Sequence, residues 1–511
     1  MNEETELKLR IPEGAVSSLR RSPVLSALRQ RRGSRRHLLT VYYDTPSLAL
    51  AKNGMTLRVR HLGNRKVQGV KLANGASGGT IVKRPELETE IDGDRPEIAR
   101  IPDEGVRKMV SEATGAEPLR PAFVSEVGRT VWPVKLGDSD IEVALDIGEI
   151  RAGADRTMPV SELELELKSG RPDQLIELAL ALGRSVPTSV ERHSKAERGF
   201  ALVTGLGAKP VNAVPVDLDP EATATIAFLA LARNCMAQLG GNEAAALAGH
   251  PEGIHQMRVA ARRLRALLAC FRDLLSIRVA DEFKAELRWL MGALGPARDL
   301  DVFIAETLDP MIERFPEEEA LRGLGAVAAL AAERAHAEAC AAIAAPRYTQ
   351  LLLTVDLRLA SGDWASGNAP VDAPVRPLAQ AILRRRCRQL LRLGSSHRTL
   401  EVEQLHRIRI AAKKLRYVGE FFRSLHSRKL ARRYLSRLAR LQDRLGSLND
   451  AIAGRRVLDK LLPESGLDAP SAARVTGLAL GWQAARINAD LSAFGGEWDE
   501  IRKLSPFWAD R

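Results

Sequence analysis

The sequence has few aromatic residues, few cysteines and no long apolar segment. Phe, Trp and Tyr make up only 4% of its 511 residues, which argues against a nucleic-acid binder that stacks bases on aromatic rings. The four cysteines, Cys235, Cys270, Cys340 and Cys387, occur singly, so neither a metal-ligand spacing nor a disulfide framework is visible and reduced thiols are expected. No apolar segment reaches the roughly 18–20 residues that a membrane span needs, and the charged start MNEETELKLR does not resemble a secretory signal. We therefore expect a soluble cytoplasmic protein with no membrane partner.

Positive charge is in excess, and the excess lies mainly in the C-terminal part. The formal net charge is +12. Residues 1–200 contain 32 basic and 29 acidic side chains, a net of +3, whereas the remainder contains 44 and 35, a net of +9. This distribution indicates a polyanionic partner for the second part of the chain.

The sequence pattern changes once along the chain, so two domains are predicted. Segments such as TELKLRI, TLRVRHL and SELELELK alternate charged and apolar residues, and this period of two predicts β-strands up to about residue 170. Two short helices are predicted around 172–182 and 189–199. Beyond a Gly- and Pro-containing segment, an Ala-, Leu- and Arg-rich pattern predicts helices. The predicted boundaries are a strand domain at 1–205, a linker at 206–220 and a helical domain at 221–505.

The helical part contains an internal repeat. HQMRVAARRLRALL at 255–268 is similar to HRIRIAAKKLRYVG at 406–419, and LGPARDL at 294–300 is similar to LGSLNDA at 445–451. Both matches have the same offset of 151 residues, which chance similarity between two helices does not explain well. We therefore predict two copies of one helical unit, at about 221–360 and 377–505.

Several predicted strands present only charged residues on one face. Glu4, Glu6 and Lys8 alternate with leucines, and Glu162, Glu164, Glu166 and Lys168 do the same in a later strand. Stacked carboxylates repel each other unless a cation lies between them, and glutamates are ligands that Mg²⁺ or Mn²⁺ uses. The alternative is a half-buried sheet whose charged face is solvated, and periodicity alone leaves both interpretations open.

An ordered series of motifs resembles the CYTH family, also called triphosphate tunnel metalloenzymes. The series begins with E-x-E-x-K at residues 4–8 and continues with YYDTP at 42–46, LRVR at 57–60, QGVK ending at Lys71, RPELE at 84–88 and Arg129. ALDIGEI around Asp146, SELELELKSG at 161–170 and SKAERG at 194–199 complete it. One departure is Gly69, where the family usually has threonine.

This resemblance implies an eight-stranded antiparallel β-barrel that binds a triphosphate along its axis. It implies a divalent metal, Mg²⁺ or Mn²⁺, held by Glu4, Glu6, Glu162, Glu164 and Glu166. It also implies phosphate contacts and ordering of water or a second metal by a set of catalytic residues: Glu4, Glu6, Lys8, Arg58, Arg60, Lys71, Arg84, Glu86, Glu88, Arg129, Asp146 and Lys195.

The two repeated helices each carry a basic stripe. At about 100° per residue, His255, Arg258, Arg262 and Arg265 fall on one side of the first helix, and neither this stripe nor its counterpart in the second copy includes an acid. A solvated helix usually mixes charges of both signs, so the stripes favour anion binding over a plain solvated face.

The repeats resemble the CHAD domain, an all-helical module named for its histidines, through HxxRxxxRRLR, HxxRxxxKKLR, LGPARDLDV and LGSLNDAIA. The resemblance implies duplicated four-helix bundles whose basic surface binds inorganic polyphosphate, and Arg298 of the first copy corresponds to Asn449 of the second. The implied contacts are His255, Arg258, Arg262, Arg263, Arg265, Arg298, His406, Arg409, Lys413, Lys414 and Arg416.

Taken together, the residues and the two resemblances predict a metal-dependent inorganic triphosphatase, acting on tripolyphosphate, joined to a module that binds inorganic polyphosphate. The location expected from this function is the cytoplasm, where the protein could associate with polyphosphate granules. One alternative is a polyphosphate-binding adaptor without catalysis. Another is a hydrolase or cyclase that acts on thiamine triphosphate or ATP. The sequence does not indicate an oligomeric state or the preferred metal.

Overall fold

A computed structural model describes residues 2–72, 79–366, 372–394 and 402–509. The chain forms two compact units. The first consists of Met1–Lys209 with Ala344–Asp363, and the second consists of Pro210–Ile343 with Trp364–Arg511.

The first unit contains an antiparallel barrel. Its strands are β1 (Asn2–Arg10), β2 (Ser34–Asp44), β3 (Met55–Leu62), β4 (Arg65–Leu72), β5 (Ile81–Ile91), β6 (Arg120–Leu136), β7 (Ser139–Ala152) and β8 (Arg156–Ser169). They are hydrogen-bonded in the order β5-β4-β3-β2-β6-β7-β8-β1, and pairing of β1 with β5 closes the ring. A two-residue strand, β9 (Ser189–Val190), adds to the edge of β1. The predicted eight-stranded barrel is therefore confirmed.

Apolar side chains on the outer face of the barrel form the core of this unit. Leu7 and Leu9 of β1 and Leu163 and Leu165 of β8 are fully buried, although their neighbours along each strand are charged. This apolar outer face is buried because helices pack against it. These helices are α1 (Val16–Arg20), α2 (Pro23–Leu28), α3 (Ala49–Lys52), α4 (Glu104–Thr114), α5 (Asp173–Gly183) and α6 (Lys195–Thr204).

The region predicted as a helix at 189–199 differs in the structure. Residues 189–190 form β9, and α6 begins only at Lys195. The reason is the capping box of Ser194 and Glu197, in which each side chain bonds to the backbone N–H of the other residue and fixes the helix start. This start determines that Lys195 is the first residue of α6.

The second unit is helical, as predicted. Its helices are α7 (Ala224–Gly241), α8 (Glu243–Leu247), α9 (Pro251–Cys270), α10 (Ile277–Phe303), α11 (Asp309–Arg314), α12 (Glu319–Ala344), α14 (Val375–Leu393), α15 (Val402–Phe422), α16 (Arg428–Arg444), α17 (Gly446–Leu461) and α18 (Ala469–Lys503). One more helix of this part of the sequence, α13 (Pro346–Ser361), packs on α5 and belongs to the first unit. Short 3₁₀ or π segments occur at Glu13–Ala15, Ile98–Arg100, Ile304–Leu308, Arg423–Leu425 and Leu462–Glu464.

The helices of the second unit reproduce the repeat seen in the sequence. The first residues of α7 and α14, of α9 and α15, and of α10 and α16 are each 151 positions apart. Each copy contributes four long helical stretches, with α16 and α17 together corresponding to α10. The predicted all-α fold with duplicated bundles is confirmed. In the described part of the chain, no helix is long and apolar enough to cross a membrane.

Candidate active site

A cavity of about 290 Å³ lies inside the barrel, and all eight strands and α6 contribute to its wall. Lumen-facing residues alternate with outward-facing ones along each strand, as the period of two requires. The cavity wall includes the whole predicted catalytic set: Glu4, Glu6, Lys8, Arg58, Arg60, Lys71, Arg84, Glu86, Glu88, Arg129, Asp146 and Lys195.

Strand register places a carboxylate beside most of the cations in this cavity. Lys8 lies opposite Glu164 on β8, and its Nζ is 3.0 Å from Glu6 Oε1 and 3.4 Å from Glu164 Oε1. Burial opposes the charge on Lys8, but these carboxylates raise its pKa above the ordinary lysine value. The amine therefore stays charged at neutral pH and can bind a phosphate oxygen.

Two arginines of β3 differ in how fully they are neutralised. Arg58 pairs with Glu86, and its Nη2 donates to Glu88 Oε1 at 3.2 Å. Glu88, at 3.9 Å, is the carboxylate paired with Arg60, and burial together with the charges of Arg58 and Arg129 lowers the pKa of Arg60. The Nε atoms of both arginines are buried, with no hydrogen-bond partner in the described part of the chain. An incoming anion would satisfy these donors.

Gly69, where the sequence departs from the family pattern, leaves room for Arg58. A Cβ atom at position 69 would lie 3.0 Å from Arg58 Nε and 3.3 Å from its Cγ. Gly69 faces Arg58 across the β3–β4 pair, so the absent side chain lets the guanidinium lie against the wall. The departure therefore removes a side chain without leaving a hole in the site.

Lys195 enters the cavity at the start of α6 and lies among three acids. Its Nζ is 2.6 Å from Asp146 Oδ2 and 3.1 Å from Glu164 Oε1, and it also pairs with Glu162. Arg129 forms two further bonds to Asp146, at 2.7 and 2.6 Å. Burial alone would neutralise these groups, but the opposite charges lower the pKa of Asp146 and Glu164 and raise the pKa of Lys195. The network holds Lys195 as a cation facing the cavity.

A metal ion has two candidate positions in the barrel. The first is the trio Asp146, Glu162 and Glu164, whose carboxylate oxygens lie within 4.8 Å of one another. Lys195 already neutralises this trio, so a divalent ion there would have to displace the amine.

The second position is the group formed by Glu4, Glu6 and Glu166, with Glu142 beside it. Glu166 lies opposite Glu6 on β1 and Glu142 on β7. Burial raises the pKa of Glu166, and the charges of Glu4 and Glu142 raise it further despite the salt bridge to Lys168. A divalent cation would relieve this repulsion, and the carboxylate oxygens are the ligands that Mg²⁺ and Mn²⁺ prefer. The donor chemistry of these residues therefore fits such an ion, whereas Asp146, Glu162 and Glu164 are the acids whose oxygens already converge in the described part of the chain.

Glu162 differs from the other four predicted metal ligands. Glu4, Glu6, Glu164 and Glu166 line the cavity, whereas Glu162 is fully buried behind its wall. Its two oxygens pair with Lys195 and Arg198, which fixes α6 against β8. In this structure Glu162 thus positions Lys195, and it also belongs to the trio with Asp146 and Glu164 that could hold a metal ion.

Sequence reasoning missed two charged residues of the cavity wall, Arg36 and Glu142. Both could have been found from alternation. Arg36 shares a strand face with Leu38, Thr40 and Tyr42, and Glu142 shares one with Asp146.

The second unit contains a basic cleft between α9 and α15. A cavity of about 510 Å³ is lined by six of the predicted contacts: Arg262, Arg265, His406, Arg409, Lys413 and Lys414. Lys284, Arg288 and Arg386 also line it, although the sequence did not single them out. We call these nine residues the basic cleft.

Lys413 is the most strongly perturbed cation of the basic cleft. Burial, and then the charges of Arg262, Arg409, Arg416 and Arg258, lower its pKa to about 7. Its amine is therefore only partly charged at neutral pH, which shows how strongly the cleft favours an added negative charge.

The remaining predicted helical residues lie elsewhere. His255, Arg263 and Arg416 line a separate cavity of about 390 Å³. Burial and nearby cations, with Arg298 the foremost, lower the pKa of His255 to about 4. Arg258 lies 3.7 Å from Asp299 and donates to the carbonyl of Met291.

Arg263 is a structural residue in this arrangement. It is only 6% exposed, donates to Gln238 and Asn234, and lies over the ring of Phe421. We therefore do not retain it as a contact of the basic cleft. The side chain of Asn449, the residue that corresponds to Arg298, lies outside the described residues.

Acids flank the stripes more closely than the sequence suggested. Besides Asp299, which lies near Arg258, Glu420 lies 3.6 Å from Arg416 and one helical turn away from it. The pKa of Arg409 is lowered by burial, and the charge of Asp450 only partly offsets this. Lys284 of the cleft pairs with Asp281, whereas Arg262 and Lys413 at its centre have no ion pair of this kind among the described residues. The centre of the cleft thus carries the positive potential.

Comparisons with known proteins agree with this geometry. Residues 2–200 match the CYTH domain model and residues 230–459 match the CHAD domain model. The solved structure of the CHAD domain from the plant Ricinus communis is 32% identical, with a TM-score of 0.50, over 58% of this chain and 99% of that one.

Among curated proteins, an inorganic triphosphatase of Haemophilus influenzae is 35% identical over 162 residues, which cover 32% of this chain and 44% of that protein. The match thus spans less than half the length of that relative. An uncharacterized protein of Mycobacterium tuberculosis is 27% identical over 439 residues, which cover 81% of this chain and 82% of that protein.

Proposed function

We propose that this chain, which belongs to the proteins that join a CYTH domain to a CHAD domain, is a divalent-metal-dependent inorganic triphosphatase that also binds inorganic polyphosphate. The observation that carries the proposal is the barrel cavity, whose wall contains nine lysines and arginines and eight carboxylates. A cavity that only had to bind an anion would not need so many acids. The acids make sense if a cation and a phosphate chain are bound together.

The cations of the cavity would hold the triphosphate. Arg58 and Arg60 enter the cavity from β3 and Lys8 enters it from β1, and Arg60 has the least ion pairing among the three. Phosphoryl transfer depends mainly on positioning and on neutralising charge, and buried guanidinium groups supply both. Since Arg129 and Lys195 are held in place by Asp146, they would meet the substrate without reorganising.

The reaction would be hydrolysis of a terminal phosphoanhydride. A water oxygen forms a bond to the terminal phosphorus, the bond from that phosphorus to the bridging oxygen breaks, and the bridging oxygen keeps the electron pair. The products are phosphate and diphosphate. Glu88, whose side chain is 45% exposed, would accept the proton that this water loses.

A divalent ion held by Glu4, Glu6 and Glu166 would neutralise charge on the phosphate oxygens and polarise the water. Glu4 is paired with Lys71 and Glu6 with Lys8, so the same carboxylates would also orient two of the phosphate-binding amines.

The helical unit would bind a longer chain of the same chemistry. The basic cleft presents cations from four helices of both copies, and a linear polyphosphate would relieve the repulsion that lowers the pKa of Lys413. We assign hydrolysis to residues 1–205 and binding to residues 221–505 apart from α13, which belongs to the first unit, with 206–220 as the linker.

The test is a panel of phosphate-release assays on the full chain with tripolyphosphate, long-chain polyphosphate, ATP and thiamine triphosphate, each with Mg²⁺, Mn²⁺ or EDTA. We expect metal-dependent release that is fastest from tripolyphosphate. Faster turnover of ATP or thiamine triphosphate would move the function to an organic triphosphate. If no substrate releases phosphate but the protein still binds long-chain polyphosphate, the function is that of a polyphosphate-binding adaptor without catalysis.

A further inference from the structure

Arg36 is a cation of the barrel cavity that has no charged partner among the described residues. Each of the other lysines and arginines that line the cavity has a carboxylate oxygen within 3.9 Å. Arg36 has no ion pair or side-chain hydrogen bond with any residue in the described ranges of the chain. A cation without a partner on a wall of paired charges is available to an anion.

Arg36 lies at one end of the cavity wall. Along β2, Arg36, Leu38, Thr40 and Tyr42 all line the cavity, and burial increases from exposed at Arg36 to buried at Tyr42. Six residues of β-strand span about 20 Å, or about 15 Å along the axis of a barrel with the usual strand tilt. A chain of three phosphates joined by single oxygens is shorter than this wall.

The surroundings of Arg36 are basic and apolar. On the neighbouring strand it lies opposite Arg129, whose charge contributes to the lowered pKa of Arg60. Leu62 and Val131 line the same cavity, and neither can neutralise a cation. Acids, in contrast, gather around Glu166 on β8, where Glu6 of β1 and Glu142 of β7 lie opposite it. The wall beside Arg36 is thus the basic part of the cavity, and the wall beside Glu166 is the acidic part.

We propose that Arg36 binds a fourth phosphate, so that the barrel accepts the end of a linear inorganic polyphosphate longer than tripolyphosphate. This inference rests on the proposed function. The three phosphates at the reacting end would occupy the paired cations, and the chain would leave the barrel past the guanidinium of Arg36. Arg36 therefore sets the preferred chain length rather than the chemistry of cleavage.

Arg35 provides a matched control. It precedes Arg36 on β2, has the same charge and is also exposed, but alternation directs it away from the cavity, which it does not line. We compare Arg36→Glu with Arg35→Glu in the full chain. All proteins in the comparison, including the reference, carry Arg262→Glu and Arg409→Glu, so that chain binding to the basic cleft does not mask the barrel.

The measurement is kcat/KM for linear tetrapolyphosphate relative to tripolyphosphate, with products separated by ion-exchange chromatography. Because a guanidinium–phosphate contact is charge-assisted, we expect Arg36→Glu to lower the ratio roughly five- to tenfold and Arg35→Glu to leave it unchanged. The inference is overturned if Arg36→Glu leaves the ratio unchanged or if Arg35→Glu lowers it equally.

A binding arm separates this inference from the proposed function. Tripolyphosphate and tetrapolyphosphate are each titrated into the same proteins in the presence of EDTA, and binding is measured by calorimetry. If the reference protein cleaves neither chain, the triphosphatase proposal fails, and the affinities then decide the role of Arg36. A selective loss of tetrapolyphosphate affinity in Arg36→Glu supports it, and an equal loss for both chains contradicts it.

Discussion

If the basic cleft binds polyphosphate as proposed, Lys413 should make that binding depend on pH, and Lys413→Arg would isolate this effect. The lysine lies on α15, facing Arg258 and Arg262 of α9 and Arg409 and Arg416 of its own helix. His406 lines the cleft, and the charge of Lys413 contributes to the lowered pKa of His255. The nearby acids Asp299 and Glu420 pair with the flanking arginines Arg258 and Arg416. Burial and the four arginines lower the pKa of Lys413 to about 7, whereas arginine stays charged throughout the physiological range.

The sign follows from the charge of the bound chain. Polyphosphate favours the protonated amine, so binding above pH 7 requires uptake of a proton and becomes weaker as the pH rises. The free amine is mostly charged at pH 6 and mostly neutral at pH 8. If the bound chain restores an ordinary lysine pKa, the affinity should fall by about tenfold over this interval because of Lys413 alone.

The assay is titration of labelled long-chain polyphosphate against the full chain at pH 6 and pH 8 and constant ionic strength. All other titratable groups are the same in both proteins, so only the difference between wild type and Lys413→Arg reports on Lys413. We expect the variant to bind more tightly than wild type at pH 8 and equally at pH 6. Identical pH dependence in the two proteins would refute the reasoning.

Two further outcomes are expected. The double variant Arg262→Glu with Arg409→Glu should reduce polyphosphate affinity by at least about tenfold and should also reduce the salt dependence of binding. The control variant Arg384→Glu with Arg385→Glu changes exposed residues outside the cleft and should do neither. An equal loss of affinity in the two double variants would contradict a localised cleft. Asp356→Ala should lower the free energy of unfolding by about 1–3 kcal/mol, because the buried Asp356 carboxylate of α13 accepts a hydrogen bond from the backbone N–H of Thr80. The control Asp363→Ala, at a side chain that is 62% exposed, should change the free energy of unfolding little. Equal melting temperatures of the two variants in thermal unfolding would contradict the contact.

The faces of the barrel strands could be predicted from the sequence because a period of two determines them. Glu4, Glu6 and Lys8 had to share a face, and the structure places all three on the cavity wall. Depth along the barrel could not be predicted in this way. Glu162 and Glu164 share a face and both pair with Lys195, but only Glu162 is fully buried. It also pairs with Arg198 of α6, which lies far away in sequence.

In the helical unit, too, some features could be predicted from the sequence and others could not. The constant offset of the repeat predicted two copies, and the helix starts follow it. Arg263, however, flanks the basic stripe in sequence and lies in a polar part of the core, where Gln238 and Asn234 accept its hydrogen bonds. The packing of α13 on α5 joins segments more than 150 residues apart, and no local pattern indicates such a contact.

The central claim is that metal-dependent hydrolysis takes place in the barrel, and Glu4→Gln with Glu6→Gln tests it most directly. Glutamine keeps the shape of both side chains and removes the charges that would hold the cation. The measurement is phosphate release from tripolyphosphate with Mg²⁺ or Mn²⁺, with far-UV circular dichroism to show that the double variant is folded. We expect metal-dependent release by the wild type and a loss of at least about a hundredfold in the variant. Wild-type release by the folded double variant would contradict the claim.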